Sequence, residues 1–178
     1  IFNNSTVIVD EAHNFVSRIV NKLGRRDTLT LELYEMLLSS ENCRKVFLTG
    51  TPIINYPNEI AVLFNILRGY IKTYVFNITV KTSKKINNEV MSEILSSIKY
   101  IDTIEYIVSK NIIRVTKNPF DFVSLYTNKK YKGVQHGDGK TITDEEFKQE
   151  IINKLSPHKI YVNKMTIEND LALPHKLD

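Results

Sequence analysis

The stretch Val7-Ile8-Val9-Asp10-Glu11-Ala12-His13 constrains this chain more than any other. Its three apolar residues are all β-branched and do not alternate with polar ones, which is the pattern of a parallel strand buried on both faces. Two carboxylates follow at once. Open α/β sheets bind ligands in the crevice outside the carboxyl ends of their strands, so Asp10 and Glu11 are expected to reach such a crevice. Adjacent carboxylates placed there suit nucleotide hydrolysis. One holds Mg²⁺, directly or through water, and its neighbour orients or deprotonates the attacking water. A plainer reading competes, because Asp and Glu also favour the first turn of a helix through its dipole.

A second element tips the balance. Val46-Phe47-Leu48 reads as the next short strand, and it runs into Thr49-Gly50-Thr51-Pro52. Small hydroxyl residues and a glycine allow the backbone to approach a neighbouring site and hydrogen-bond to it. Two such motifs, each at a strand's carboxyl end and separated by one helical connection, are more specific together than either is alone. Asn14 to Gly24 fits a short helix or a packed loop. A helix is expected over residues 29–39, capped by Asp27 or Thr28, with Leu29, Leu33, Met36 and Leu37 buried. A further helix starts near Pro57, with Ile60, Leu63, Phe64 and Leu67 on its buried face and Gly69 at its end. Residues 1–69 therefore predict an α/β unit with a parallel sheet.

Beyond Gly69 the pattern changes. Strands are expected over 70–81, 104–108, 112–116, 120–126 and 160–165, and helices over 84–98 and 143–155. A capping box at Thr143 to Glu146 opens the second helix. Residues 129–140 read as a basic, glycine-containing loop. The order over 70–178 resembles a split βαβ module, a small ferredoxin-like βαββαβ arrangement. Residues 1–70 carry seven Lys/Arg and seven Asp/Glu, so the whole net charge of +4 lies in the second part. There Lys110, Arg114, Lys117, Lys129, Lys130 and Lys132 interleave with Phe120, Phe122, Tyr126 and Tyr131. They suggest a stripe that binds a nucleic-acid backbone and stacks bases. The competing reading puts the rings in the core and the lysines in solvent. His136-Gly137-Asp138-Gly139 offers too few ligands for a metal.

Cys43 is the one cysteine, which excludes a disulfide framework or a cysteine-built metal site within one chain and fits a reducing compartment. No apolar run approaches the length of a membrane span. There is no initiating Met, and the chain opens almost directly on a core strand. It is expected to be an excerpt of a longer polypeptide.

The chain resembles the superfamily 2 helicases and translocases of the DEAH/Snf type. Val7 to His13 matches their motif II, and Leu48 to Pro52 their motif III. Ile53-Ile54-Asn55, Glu59-Ile60, Leu63 and Asn65-Ile66-Leu67 are similar to the Snf-type pattern that follows. Within the family, the resemblance is to the Snf-like helicases of large nucleocytoplasmic DNA viruses. It implies that residues 1–69 are the C-terminal half of a RecA-like P-loop NTPase lobe and that 70–178 are an α+β insert leading towards a second lobe. It also implies that ATP and Mg²⁺ are the cofactors. Asp10 would hold Mg²⁺, Glu11 would polarise the hydrolytic water and reach the metal through water, and His13 would link this site to the strand-gripping surface. Thr49, Gly50 and Thr51 would carry that coupling. The implied partners are DNA or RNA, the remaining lobes of the same polypeptide and the transcription machinery, in an intracellular setting such as a virion core or a viral factory in host cytoplasm.

The departures are equally specific. No Gly-x-x-x-x-Gly-Lys-Thr/Ser phosphate cradle and no arginine-rich motif VI occur in these residues. The chain alone is expected to be inactive, with ATP hydrolysis belonging to the parent. Arg114-Val115-Thr116-Lys117 and Leu173-Pro174-His175-Lys176 faintly echo short basic elements that Snf-type remodellers carry beyond motif III. The alternative function is a non-catalytic docking module for nucleic acid or protein.

Overall fold

In the computed structural model, residues 1–25, 29–127, 130–140 and 142–175 are described. The helix caps expected at Asp27 and Thr28, and also Lys129 and Lys176, lie outside them. The chain divides into two units. The first comprises Ile1–Ile71 and the segment from Asn169 onward, and the second Lys72–Glu168.

The first unit runs β1 (Thr6–Val9), α1 (Ala12–Lys22), α2 (Leu29–Leu38), β2 (Arg44–Phe47) and α3 (Asn58–Arg68). β1 and β2 pair in parallel, from Thr6 opposite Arg44 to Val9 opposite Phe47. Parallel strands need a crossover, and α1 and α2 supply it. The three helices pack on one another through Val16 and Ile19, Tyr34, Leu37 and Leu38, and Val62 and Ile66. Val7 and Phe47 join this cluster from the sheet.

Three expectations are corrected here. β1 is not buried on both faces, since Ile8 is 65% exposed. All three helices gather on one side of the strand pair, and a strand is doubly buried only where both faces are covered. The buried stripe of α2 is Tyr34, Leu37 and Leu38, while Leu29 faces solvent. On α3, the expected core residues Phe64 and Leu67 are 53% and 41% exposed. The face turned inward carries Ala61, Val62 and Ile66 together with two polar residues, Glu59 and Asn65.

Asn65 shows why a polar residue can lie there. Its side-chain amide donates to the carbonyl of Leu173 at 2.9 Å, and its oxygen accepts the Leu173 N–H at 2.8 Å. Both halves of the amide are satisfied, which removes the cost of burying it. Tyr34 Oη lies 2.7 Å from His175 Nε2. The segment from Asn169, expected in the second module, is thereby clasped onto the first.

The second unit contains β3 (Ile71–Val80), α4 (Asn88–Leu95), β4 (Ile101–Ile107), β5 (Ile112–Lys117), β6 (Phe122–Thr127), β7 (Lys130–His136), α5 (Asp144–Leu155) and β8 (Ile160–Asp170). Four strands form one sheet in the order β4-β5-β3-β8, with β5 antiparallel to both neighbours. Its core face presents Tyr74, Phe76, Ile113 and Val115 to Met91 and Leu95 of α4 and to Phe147, Ile151 and Leu155 of α5. Asn87 caps α4 by accepting the Val90 N–H, so that helix begins later than residue 84. The Thr143 capping box forms as expected.

β6 and β7 form a separate antiparallel hairpin. The residues read as a basic loop are thus largely a strand. The register shifts between Leu125 and Tyr126, where Gly133 takes φ 123°. That irregularity hides the two-residue alternation from sequence.

Asp144 pins α5 to the sheet. It accepts from Tyr74 Oη at 2.6 Å and from Lys117 Nζ at 2.7 Å, with Lys72 Nζ at 3.4 Å. Partial burial pushes this carboxyl up, but the bonds from Lys117 and Tyr74 and the charges of Lys117 and Lys72 outweigh it, leaving the pKa at about 2. The unfolded carboxyl titrates near its ordinary 3.8. Stability from Asp144 is therefore complete above that value and lost as pH falls towards 2. In acid unfolding monitored by circular dichroism, Asp144→Asn should remove part of the slope between about pH 4 and pH 2. Asn65→Ala should lower stability to urea by about 1–2 kcal/mol and speed amide exchange at Leu173.

Candidate nucleotide-hydrolysis site

Because β1 and β2 are parallel, their carboxyl ends share one edge. The ladder continues past both strands. Leu48 N–H donates to Val9 O at 2.9 Å, and Ala12 N–H donates to Leu48 O at 3.0 Å. These two bonds hold Asp10-Glu11 beside Thr49-Gly50-Thr51.

Asp10 Oδ1 accepts the Glu11 N–H at 2.9 Å. Glu11 itself adopts φ 48°, ψ 47°. The left-handed conformation costs a non-glycine residue about 1 kcal/mol, and it turns the chain from β1 into α1 with no intervening loop. Glu11 is the cap residue of α1 yet makes no side-chain cap bond. Its carboxylate therefore stays outward with that of Asp10, and both residues are exposed.

His13, in the first turn of α1, connects the two motifs. Its Nδ1 lies 2.8 Å from Thr49 Oγ1 and 3.3 Å from Glu11 Oε2. Which of His13 and Thr49 donates in this contact is set by the tautomer of the imidazole. Thr49 Oγ1 also accepts the Thr51 N–H at 3.1 Å. The imidazole is only 16% exposed, so this link is shielded while the carboxylates are not. Glu11, His13, Thr49 and Thr51 thus form one continuous chain of contacts. Gly50 is adjacent, but a Cβ added there would meet nothing within 4 Å.

Sequence reasoning missed the role of Glu59. It is 1% exposed, and its Oε2 accepts the N–H groups of Ile54 at 2.7 Å and Asn55 at 3.2 Å. Burial pushes the carboxyl up, but these backbone donors more than offset it, so its pKa is lowered. Asn55 Nδ2 reaches Ser17 Oγ on α1 at 3.1 Å. The loop after Thr51 is thereby tied to α3 and to the helix that carries His13. The signal in the sequence was an acidic residue in the first turn of a helix, within the pattern that follows motif III, but nothing local named its partners.

Among the described residues, no group of three or more His, Cys, Asp or Glu could hold a metal ion. No described helix is long and apolar enough to cross a membrane.

Comparison with known proteins places the two motifs in context. A 106-residue stretch is 31% identical to the termination factor NPH-I homologue of African swine fever virus, covering 55% of this chain and 15% of that protein. Over 125 residues the chain is 33% identical to a protein of Acanthamoeba polyphaga mimivirus that carries the name of an ATP-dependent RNA helicase, covering 64% and 26%. Nucleoside triphosphatase I of Melanoplus sanguinipes entomopoxvirus is 28% identical over 97 residues, covering 51% and 15%. The chain resembles part of the viral Snf-like helicases. It spans about a quarter or less of these relatives' lengths. No protein-family model matches it, and no solved structure does.

The basic residues proposed for nucleic acid do not form one stripe. Arg114 and Lys117 lie three apart on β5 and so point to opposite faces. Arg114 pairs with Glu168 at 2.8 Å and Glu105 at 3.7 Å. Lys117 is bound to Asp144 and sits over the Tyr74 and Phe147 rings. Lys110 lies in the short 3₁₀ turn before β5, and Lys130 and Lys132 lie on β7. Tyr126 and Tyr131 pack edge to face across the hairpin, with ring centroids 5.8 Å apart.

Thr49→Val keeps the shape of the residue and removes the shared hydroxyl. The expected result is amide exchange at Thr51 faster by roughly 2- to 10-fold, from one hydrogen bond lost, with a changed His13 ring ¹⁵N pattern. An unaltered His13 spectrum would show that the Thr49 contact does not set its tautomer.

Proposed function

We propose that this chain is part of an ATP-dependent nucleic-acid helicase or translocase that serves viral transcription or genome handling. The observation that carries the reading is the 2.8 Å contact between His13 and Thr49 at the ends of two parallel strands. It joins the carboxylate pair to the following loop, as coupling of hydrolysis to movement requires. The relatives' names, which speak of a nucleoside triphosphatase, a helicase and a termination factor, support the same reading.

In this reading the first unit is the second half of a RecA-like lobe. The second is a ferredoxin-like insert: its strand order β4-β5-β3-β8, with both helices on one face, is the order of a split βαβ module interrupted by the β6–β7 hairpin. The donor set fits Mg²⁺ delivered with a nucleotide, since Mg²⁺ is commonly held by one or two carboxylates plus substrate phosphates and water. Asp10, with Oδ1 engaged by the Glu11 N–H, would offer its other oxygen to the metal. When bound, Mg²⁺ would neutralise charge on the transferring phosphoryl group. Glu11 would accept a proton from the attacking water. His13, Thr49 and Thr51 would pass the state of that site to the loop that Glu59 anchors. The exposed lysines Lys110, Lys130 and Lys132 remain candidates for backbone contacts.

The test uses the complete polypeptide that contains these residues. Glu11→Gln should lower nucleic-acid-stimulated ATP turnover by about 10²- to 10⁴-fold, the usual worth of a positioned general base, while nucleotide binding persists. Unchanged turnover would remove Glu11 from the mechanism. A docking module with no hydrolytic role predicts no turnover in the wild-type polypeptide either.

A further inference from the structure

At the opposite edge of the β1–β2 sheet from Asp10 and Glu11 lies a second polar depression. It is formed where the chain enters both strands and where α3 ends, and its volume is about 630 Å³. Three cationic side chains line it, Arg44, Lys45 and Arg68, and no carboxylate does. Among the described residues none of the three is ion-paired, although most surface cations of the second unit's sheet are matched with acids. We infer that this depression is a binding site for a phosphate group, with Lys45 as its central ligand.

The floor is built for that task. Lys45 is half-buried, and burial lowers the pKa of its amine, with Cys43 opposing the shift in part. Gly69 borders the amine. The Lys45 Nζ stands 3.6 Å from where a Gly69 Cβ would be, and that Cβ would also come within 3.1 Å of the Leu38 carbonyl. Gly69 has φ 72°, which suits glycine. The rim is pre-formed too. Asn4 and Asn42 both take left-handed conformations, and Asn42 Nδ2 donates to Asn4 Oδ1 at 2.9 Å, locking the two strand entries together. Ser40 and Ser5 also line it, their hydroxyls donating to the carbonyls of Leu37 and Phe2.

A helix dipole explains Arg68 at the end of α3, but it explains neither Arg44 nor Lys45, which start a strand. Three cations with no acid match the charge of a phosphoryl oxygen triad. A second basic groove, between α4 and α5, also contains Glu93 and Glu150 and is less selective for an anion. The inference stands apart from the hydrolytic reading, because these residues lie at the other end of both strands.

The ligand is either a free phosphate compound or the backbone of a nucleic acid, and the experiment separates them. The chain is titrated with pyrophosphate, and in a second arm with a short single-stranded oligothymidylate, at constant ionic strength. Lys45 ¹³Cε and the amides of residues 42–45 and 68–69 are followed by NMR. Saturable shifts confined to these signals are expected. Arg44→Ala/Arg68→Ala should weaken binding about tenfold or more, whereas Lys84→Ala/Lys159→Ala, with the same charge change in the other unit, should alter it less than about twofold. Arg44 and Arg68 are exposed, so the fold should survive their loss, and Lys45→Arg should retain binding. Shifts in the oligonucleotide arm at the same signals assign the backbone as ligand; shifts with pyrophosphate alone assign a free phosphate. Equal weakening by both double variants, shifts scattered over the surface, or no saturation in either arm would overturn the site.

Discussion

The parallel pairing of β1 with β2 is the constraint on which the rest of the first unit depends. Parallel order places two strand ends, thirty-eight residues apart in register, on one edge. Two further backbone bonds, Leu48 to Val9 and Ala12 to Leu48, then fix how the chain leaves each strand. Without them Glu11 would have no reason to hold a left-handed turn, and His13 would not meet Thr49. The side-chain chemistry at this edge is a consequence of backbone hydrogen bonding.

A second theme is the use of buried polar residues as connectors. Glu59 and Asn65 lie on the inward face of α3, where apolar side chains were expected, while Phe64 and Leu67 face outward. Each polar residue grips backbone: Glu59 the loop after Thr51, Asn65 the returning segment at Leu173. Side chains that bond main chain can hold segments lacking regular structure, which apolar packing alone does poorly. Asp144 does similar work in the second unit, tying a helix start to Tyr74 and Lys117.

Most elements were legible because their signals are local. The β-branched run of β1, the Thr143 capping box and the alternation in β3 each depend on near neighbours in sequence. Helix faces were less legible. Periodicity identifies an apolar stripe on α3 but cannot say that partners for Glu59 and Asn65 wait elsewhere in the chain. β7 escaped detection because a register irregularity at Gly133 breaks alternation. Of the site, Asp10, Glu11, His13 and Thr49 were readable from two short motifs, and the structure brings them together. The proposed stripe from Lys110 to Lys132 was not, since sequence interleaving says nothing about which face of β5 a side chain takes.

The clasp of Leu173 by Asn65 bears on how this chain acquires its structure. The two residues are separated by 108 positions. During synthesis from the amino end, α1, α2 and α3 emerge long before the segment that Asn65 clasps, and the whole second unit is made in between. The loop closed by the clasp therefore contains a body with its own hydrophobic core, which can fold while the first unit waits. Once that body is folded, the loop is shorter in effect than its residue count, and closing it loses correspondingly less chain entropy. The clasp can therefore form only after every residue of the second unit has been made.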